Sequence, residues 1–197
     1  MMGERLPDDW WQGEIFFTDS RNGWAVVGKW FIFHTEDGGK TWTDQLMSPM
    51  SYSLGHIFFA DSKRGCATGT SILCTEDGKT WTERLDIKPG GSKIINGFSI
   101  SPEGISFAGQ SVGWIAGRDG LIMKTEDGGK TWKVIARRNE CGYLPFFVNQ
   151  KTGWLHFPIP TYTHICRTDD GGHTWTRQEV GIGEIRIFFV NDSTGWA

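Results

Sequence analysis

The chain has 197 residues, 38% of them hydrophobic and 22% charged, with a formal net charge of −3. That length can bury a substantial core in one domain, and the mildly acidic balance, without a long basic run, gives no broad attraction to nucleic acid or anionic lipid. No apolar stretch approaches the roughly 20 residues that cross a bilayer as a helix, and residues 1–13 are polar and acidic rather than a basic-then-apolar secretion signal. Neither a nucleic-acid partner nor direct membrane insertion is expected, and localisation stays open.

Eleven Trp, 13 Phe and 27 Gly beside only 3 Tyr point to short aromatic strands separated by glycine turns, an all-β composition. In chain order, a segment 1–13 carrying Trp10-Trp11, read either as an exposed anchor or as packing on the first unit, precedes a unit at 14–46. That unit reads strand, turn, strand, turn, strand, box, strand. Ile15-Phe16-Phe17 leads through Asp19-Ser20-Arg21-Asn22 to Gly23-Trp24, and Thr35-Glu36-Asp37-Gly38-Gly39-Lys40-Thr41-Trp42 follows the third strand. A second unit at 56–85 holds a shortened box, Thr75-Glu76-Asp77-Gly78-Lys79-Thr80-Trp81. An insertion, 86–103, with Pro89-Gly90-Gly91, is predicted to be a surface loop. Units at 104–135 and 145–180 carry the boxes ending Asp127-Gly128-Gly129-Lys130-Thr131-Trp132 and Asp170-Gly171-Gly172-His173-Thr174-Trp175. A partial fifth unit, 185–197, repeats only Ile187-Phe188-Phe189 and Gly195-Trp196.

Box tryptophans at 42, 81, 132 and 175 recur at spacings of roughly 40 to 50 residues, the size of one propeller blade. The predicted fold is an all-β β-propeller of four-stranded antiparallel blades with Asp-box turns: four complete blades and a truncated fifth, part of a larger propeller. An arc left open in this way would expose aromatic edges and favour edge-paired self-association.

In each box the aspartate accepts backbone N–H groups of its own turn, the glycine permits a positive φ, the threonine completes the local bonds and the tryptophan packs between blades. Asp37, Gly39, Thr41 and Trp42, with their counterparts Asp127, Gly129, Thr131, Trp132, Asp170, Gly172, Thr174 and Trp175, are thus read as hairpin clamps. A calcium site is disfavoured because each turn offers one well-placed carboxylate rather than several oxygens. Aligning Gly78, Thr80 and Trp81 with the other boxes puts Glu76, not Asp77, at the aspartate position and predicts an altered turn. The same unit has Cys66 where the others have tryptophan. A hairpin turning at Thr70 makes Cys66 and Cys74 cross-strand neighbours; the spacing admits a disulfide, but a pair of reduced, buried thiols is favoured, with Cys141 and Cys166 free.

The phrase running from Gly113-Trp114-Ile115-Ala116-Gly117-Arg118 through Asp127-Gly128-Gly129-Lys130-Thr131-Trp132 resembles the repeat of the Ycf48/HCF136 type of photosystem II assembly and stability factors, within the wider BNR/Asp-box group. The resemblance covers nearly everything after residue 14. It implies a propeller, usually of seven blades, that acts as a non-enzymatic chaperone holding a newly made membrane subunit, in an extracytoplasmic, periplasmic or thylakoid-lumen parent.

A propeller offers loops on a rigid platform, so a binding scaffold with a protein partner is the expected function. The rival is an Asp-box glycoside hydrolase, sialidase-like or xyloglucanase-like, or a carbohydrate-binding propeller fragment. A sialidase needs a tyrosine nucleophile and an arginine cluster; only Tyr52, Tyr143 and Tyr162 exist, and Arg186-Ile187-Phe188 lacks the proline of the Arg-Ile-Pro signature. Asp86, Glu103, Glu140 and Glu184 form no recognisable catalytic pair. His34, His56, His156, His164 and His173 have no metal-ligand spacing, so no catalytic residue, cofactor or metal is expected. Arg118, Arg137 and Arg138 are the candidates for a partner-facing basic surface.

Overall fold

The structure, a computed structural model, describes residues 13–47, 53–85, 94–95, 98–99, 102–138, 140–158, 164–181, 187–189, 191 and 193–196. Trp10-Trp11 and the candidate residues Tyr52, Asp86, Tyr162, Glu184 and Arg186 lie outside these.

Four antiparallel sheets follow one another along the chain, each ordered as its strands occur in sequence. Sheet one contains β1 (Glu14–Phe17), β2 (Gly23–Val27), β3 (Phe31–Thr35) and β4 (Thr43–Met47). Sheet two contains β5 (Leu54–Phe59), β6 (Gly65–Gly69), β7 (Ile72–Thr75) and β8 (Trp81–Leu85). A two-stranded hairpin, β9 (Ile94–Ile95) and β10 (Phe98–Ser99), occupies part of the insertion that the sequence predicted to be a plain loop. Sheet three contains β11 (Pro102–Ala108), β12 (Val112–Gly117), β13 (Leu121–Thr125) and β14 (Lys133–Arg137). Sheet four contains β15 (Leu144–Phe147), β16 (Gly153–His156), β17 (His164–Thr168) and β18 (Thr176–Glu179), and a last pair is formed by β19 (Phe188–Phe189) and β20 (Gly195–Trp196). First strands of successive sheets lie against one another, β1 on β5, β5 on β11 and β11 on β15, the arrangement of propeller blades around an axis.

The middle strands are buried on both faces, as their continuous Gly-Trp-Ala-Val and Ile-Leu-Cys-Thr runs require, whereas β18 at the outer edge is exposed throughout. The cores lie between sheets. Trp24, Ile32, Ile57, Phe59 and Leu73 fill the space between sheets one and two, and Trp114, Ile122, Phe147 and Leu155 that between sheets three and four.

The Gly-Trp tryptophans Trp24 and Trp114 are pegs seated in the following sheet. Trp24 stacks on Phe59 at 3.7 Å, and its indole N–H donates to the Gly78 carbonyl at 3.2 Å. Trp114 stacks on Phe147 at 3.6 Å and donates to the Gly171 carbonyl at 2.8 Å. On the other side of each ring lies the residue paired with it on the third strand: His34 stacked on Trp24, Lys124 over Trp114, Arg167 over Trp154. A bulge recurs between third and fourth strands, after Ile32, Ile72 and Ile122. In sheet three it turns Ile135 toward sheet four, where its Cδ1 lies 3.0 Å from where a Cβ on Gly172 would stand.

Sheet two has no tryptophan to use as a peg, and the structure corrects the expectation of free thiols. Cys66 and Cys74 face each other across β6 and β7, 4.1 Å apart at Cα, and form a buried disulfide. A Cβ on Gly129 of sheet three would lie 2.9 Å from the Cys66 sulfur and 3.1 Å from that of Cys74. The disulfide therefore occupies the place of the missing indole, over the glycine of the next box. Cys141 and Cys166, expected to be free, are also bonded, across 5.2 Å at Cα. Here the bond ties the loop before β15 to β17, a proximity created by the fold and invisible to sequence spacing.

Candidate protein-binding face

Every box is a closed hydrogen-bonding unit at one end of its sheet. The Asp37 carboxylate accepts the Lys40 and Thr41 amides, both at 2.9 Å, the Thr35 hydroxyl at 2.8 Å and the Thr41 hydroxyl at 2.6 Å. Gly38 and Gly39 adopt φ of 78° and 86°, the left-handed conformation that bends the turn back over the carboxylate. Asp127 with Thr125 and Thr131, and Asp170 with Thr168 and Thr174, repeat the pattern. Hydrogen bonds from the Thr41 hydroxyl and amide hold the Asp37 carboxyl well below its ordinary range. Burial pushes the Asp127 and Asp170 carboxyls upward, but donors from Thr131 and Thr174 outweigh it and set both at about 2.

The first threonine of each box was missed in the sequence. Thr35, Thr75, Thr125 and Thr168 are buried, and each hydroxyl donates to the aspartate while accepting a glycine amide. The signal was present as a Thr-x-Asp recurring in all four boxes. Box tryptophans Trp42, Trp81, Trp132 and Trp175 meet Phe17, Phe59, Phe107 and Phe147 of their own sheets edge-on, and Trp81, Trp132 and Trp175 also pack against the apolar clusters between sheets.

The shortened box is corrected too. Asp77, not Glu76, is the clamp: it accepts the Lys79 amide at 2.8 Å, the Thr80 amide at 2.6 Å and the Thr75 hydroxyl at 3.0 Å. The missing glycine is absorbed after the aspartate, where the Gly78 amide takes the place of the second box glycine and reaches the Thr75 hydroxyl at 2.9 Å. Glu76 is left to pair with Arg84 at 2.9 Å and with Lys130 of sheet three at 3.2 Å.

The clamp aspartates Asp37, Asp77, Asp127 and Asp170 are thus committed to their own turns, and among the described residues no group of three or more His, Cys, Asp and Glu is placed to hold a metal. The histidines stand apart. His34 stacks on Trp24, His56 pairs with Glu14 at 3.4 Å, and the His164 Nε2–H donates to the Glu140 carbonyl at 2.6 Å. No described helix is long and apolar enough to cross a membrane.

The opposite end of the sheets, which carries the turns between second and third strands, is where the candidate arginines gather. Arg118 opens the turn between β12 and β13, Arg137 closes β14, and Arg138 follows. The Arg137 guanidinium grips Asp119 in that turn, through its carbonyl at 2.9 Å and its carboxylate at 3.2 Å, and the Arg138 amide donates to the Gly120 carbonyl at 2.7 Å. Arg118 pairs with Glu103 at 2.8 Å and lies 5.3 Å above the Tyr143 ring, yet its side chain stays 65% exposed. So one arginine faces out, and Arg137 holds the turn that carries it.

Next to Arg118 lies a cleft of about 340 Å³ that spans three sheets, lined by Lys29 of sheet one, Thr70 of sheet two and Glu103 and Arg118 of sheet three. Lys29, Thr70 and Arg118 all belong to turns between second and third strands. Lys29 adopts φ 69° beside Gly28 at 59°, a tight turn with both central residues left-handed, which costs a non-glycine residue about 1 kcal/mol or more.

Repeated four-stranded sheets, box clamps and indole pegs define the chain as an Asp-box β-propeller. The family described as "Photosynthesis system II assembly factor YCF48" matches residues 44–176, more than half of the chain, which belongs to that family. A "Photosystem II assembly lipoprotein Ycf48" of Synechococcus sp. (strain CC9902) is 30% identical over 127 residues, which span 61% of this chain and 35% of the relative. A chloroplastic "Photosystem II stability/assembly factor HCF136" of Cyanidioschyzon merolae (strain NIES-3377 / 10D) is 40% identical over 57 residues, 28% of this chain and 13% of the relative. Among solved structures, YCF48 from Cyanidioschyzon merolae superposes with a TM-score of 0.66 at 20% identity, covering 96% of this chain and 64% of that one. "YCF48 bound to D1 peptide" gives 0.62 at 19% identity, covering 88% and 54%. An ancestral GH74 enzyme gives 0.59 at 11% identity, covering 84% and 25%. At these identities the structural likenesses show the fold alone.

Proposed function

We propose that the chain is a non-enzymatic, protein-binding propeller that holds a membrane-protein assembly intermediate, and that the contact lies on the face carrying Lys29, Thr70 and Arg118. The observation that carries this is family membership, together with the relative solved with a D1 peptide. Supporting it, the face combines an outward cation, a cleft shared by three blades and a strained lysine turn, features that gather at ligand sites.

A glycosidase reading finds less support. The GH74 likeness is one of fold, Glu103 is engaged by Arg118, and the box aspartates are saturated by their own turns. The test is fluorescence anisotropy with a labelled D1 peptide. Arg118→Ala should weaken binding by about tenfold, the loss of one charge-assisted contact, whereas Lys133→Ala on β14 should not. Equal affinity of wild type and Arg118→Ala would move the contact elsewhere; no binding at all, with turnover of xyloglucan, would replace the reading by the hydrolase.

A further inference from the structure

The registers of sheets two and three each break once where the first strand begins. Between Leu54 and His56 of β5 the extra residue is Gly55, and between Pro102 and Gly104 of β11 it is Glu103. A bulged residue has no partner on the neighbouring strand, which re-aims its side chain away from the regular pleat. Both residues line the cleft beside Arg118. A Cβ at Gly55 would meet open space, whereas Glu103 supplies the one carboxylate among the described residues lining the cleft.

The backbone at Glu103 is fixed from both sides. Its carbonyl accepts the hydroxyl of Thr68, a buried residue of sheet two, at 3.1 Å, and a Cβ on the adjoining Gly104 would stand 2.5 Å from Pro145 Cδ and 2.7 Å from the Tyr143 carbonyl oxygen. Arg118, for its part, needs no acid to hold it in place. Arg137 and Arg138 anchor its turn through Asp119 and Gly120, and the Tyr143 ring lies beneath its guanidinium. The Glu103–Arg118 pair, with side chains 24% and 65% exposed, is of the solvated kind that adds little to stability. What it changes is the charge that an arriving group meets, because the outward guanidinium already faces a carboxylate at 2.8 Å.

We propose, resting on the assignment of this face to protein binding, that Glu103 is a built-in competitor for Arg118 and that the segment held here presents a carboxylate which takes its place. An acid carried by the chain itself is present at a fixed, high local concentration, so every ligand of Arg118 has to displace it. A neutral segment gains nothing by doing so, since it removes a charged partner and returns none; an acidic segment exchanges like for like. Lys29 and Arg118 stand against Glu103 alone among the described lining residues, so the cleft stays net cationic with the pair closed. Glu103 thereby selects for acidic segments and keeps the hold on them loose.

The test removes the competitor and keeps its shape. Glu103→Gln should retain the wild-type thermal midpoint, because the bond from Thr68 goes to the backbone. Acetate serves as a bare carboxylate: the Arg118 Nε–H resonance should respond at acetate concentrations about two- to fivefold lower in Glu103→Gln than in wild type, the factor expected for one exposed ion pair. Fluorescence anisotropy with the labelled D1 peptide should show the same gain, and none with the same peptide amidated at its C terminus and at its Asp and Glu side chains. Acetate binding sharpened by Glu103→Gln, with no D1 peptide bound by either protein, would support the competitor while overturning the assignment of the face. An equal gain for the amidated peptide would overturn the carboxylate. A response to acetate and peptide that is unchanged in Glu103→Gln, or weaker, would overturn the proposal, the weaker response marking Glu103 as a residue that positions Arg118.

Discussion

Trp114 and Phe147 lie in different sheets with their rings 1° from parallel and 3.6 Å apart, while the indole N–H of the same tryptophan reaches the Gly171 carbonyl. One side chain thus joins two blades by area and by direction together. Truncation leaves a cavity between sheets three and four and orphans a buried carbonyl. Trp114→Ala should cost about 3–5 kcal/mol in chemical denaturation. Trp132→Ala, which removes a half-buried ring at the rim of the cluster between sheets two and three, should cost distinctly less. Equal losses would deny the joint its special part in stability.

The shortened box separates two neighbouring acids. Asp77→Ala removes the acceptor of two amides and a hydroxyl and should lower the thermal midpoint. Glu76→Ala breaks exposed ion pairs to Arg84 and Lys130 and should change stability by less than about 1 kcal/mol. Thermal midpoints of the two variants decide which acid is the clamp.

Acid unfolding should track the boxes. Folding lowers these carboxyls from 3.8 to about 2 at Asp127 and Asp170. The unfolded chain therefore takes up protons first as pH falls, and the stability contributed by the clamps is fully present above pH 3.8 and lost on the way down to about 2. In Asp127→Asn the midpoint at pH 7 should drop, and the further fall between pH 4 and 2 should be shallower than in wild type. A parallel pH profile for the two proteins would refute the assignment.

Thiol counting in denaturant without reductant should find none of the four cysteines free. The Cys141–Cys166 bond closes a sequence separation of 25 and Cys66–Cys74 one of 8, so loop-closure entropy assigns them about 3.5 and 2.5 kcal/mol. Cys141→Ala/Cys166→Ala should accordingly lose the larger share on that account. Should Cys66→Ala/Cys74→Ala prove worse, the excess measures the disulfide's part as a wedge over Gly129.

Sheets and boxes were legible because turns are written in residue types: Gly at positive φ, Asp and Thr as acceptor and donor, Gly-Trp at each second strand. What escaped was whatever depends on backbone atoms or on distance through space. The partner of Trp24 is a carbonyl, and every residue has one. The bulge opposite Ile32, Ile72 and Ile122 falls at Gln45, Arg84 and Ile135, which share no chemistry. For the missing glycine at Gly78 two gap placements fit the sequence equally, and only the hydrogen bonds choose Asp77. The arginines were named together as one basic surface; that Arg137 instead grips the turn bearing Arg118 follows from β13 and β14 bringing residues 18 apart into contact.

The disulfide at Cys66 and Cys74 shows what the joint leaves free. Its two halves lie on different strands of one repeat, so a duplicated unit arrives with a connector for each neighbour, and either half can change its chemistry without its twin in another blade changing too. Sheet two exchanged an indole for a sulfur bridge on its outgoing side while keeping Ile57 and Phe59 on its incoming side. Blades built this way can be gained, lost or individually altered in evolution with only the immediate neighbour required to adapt.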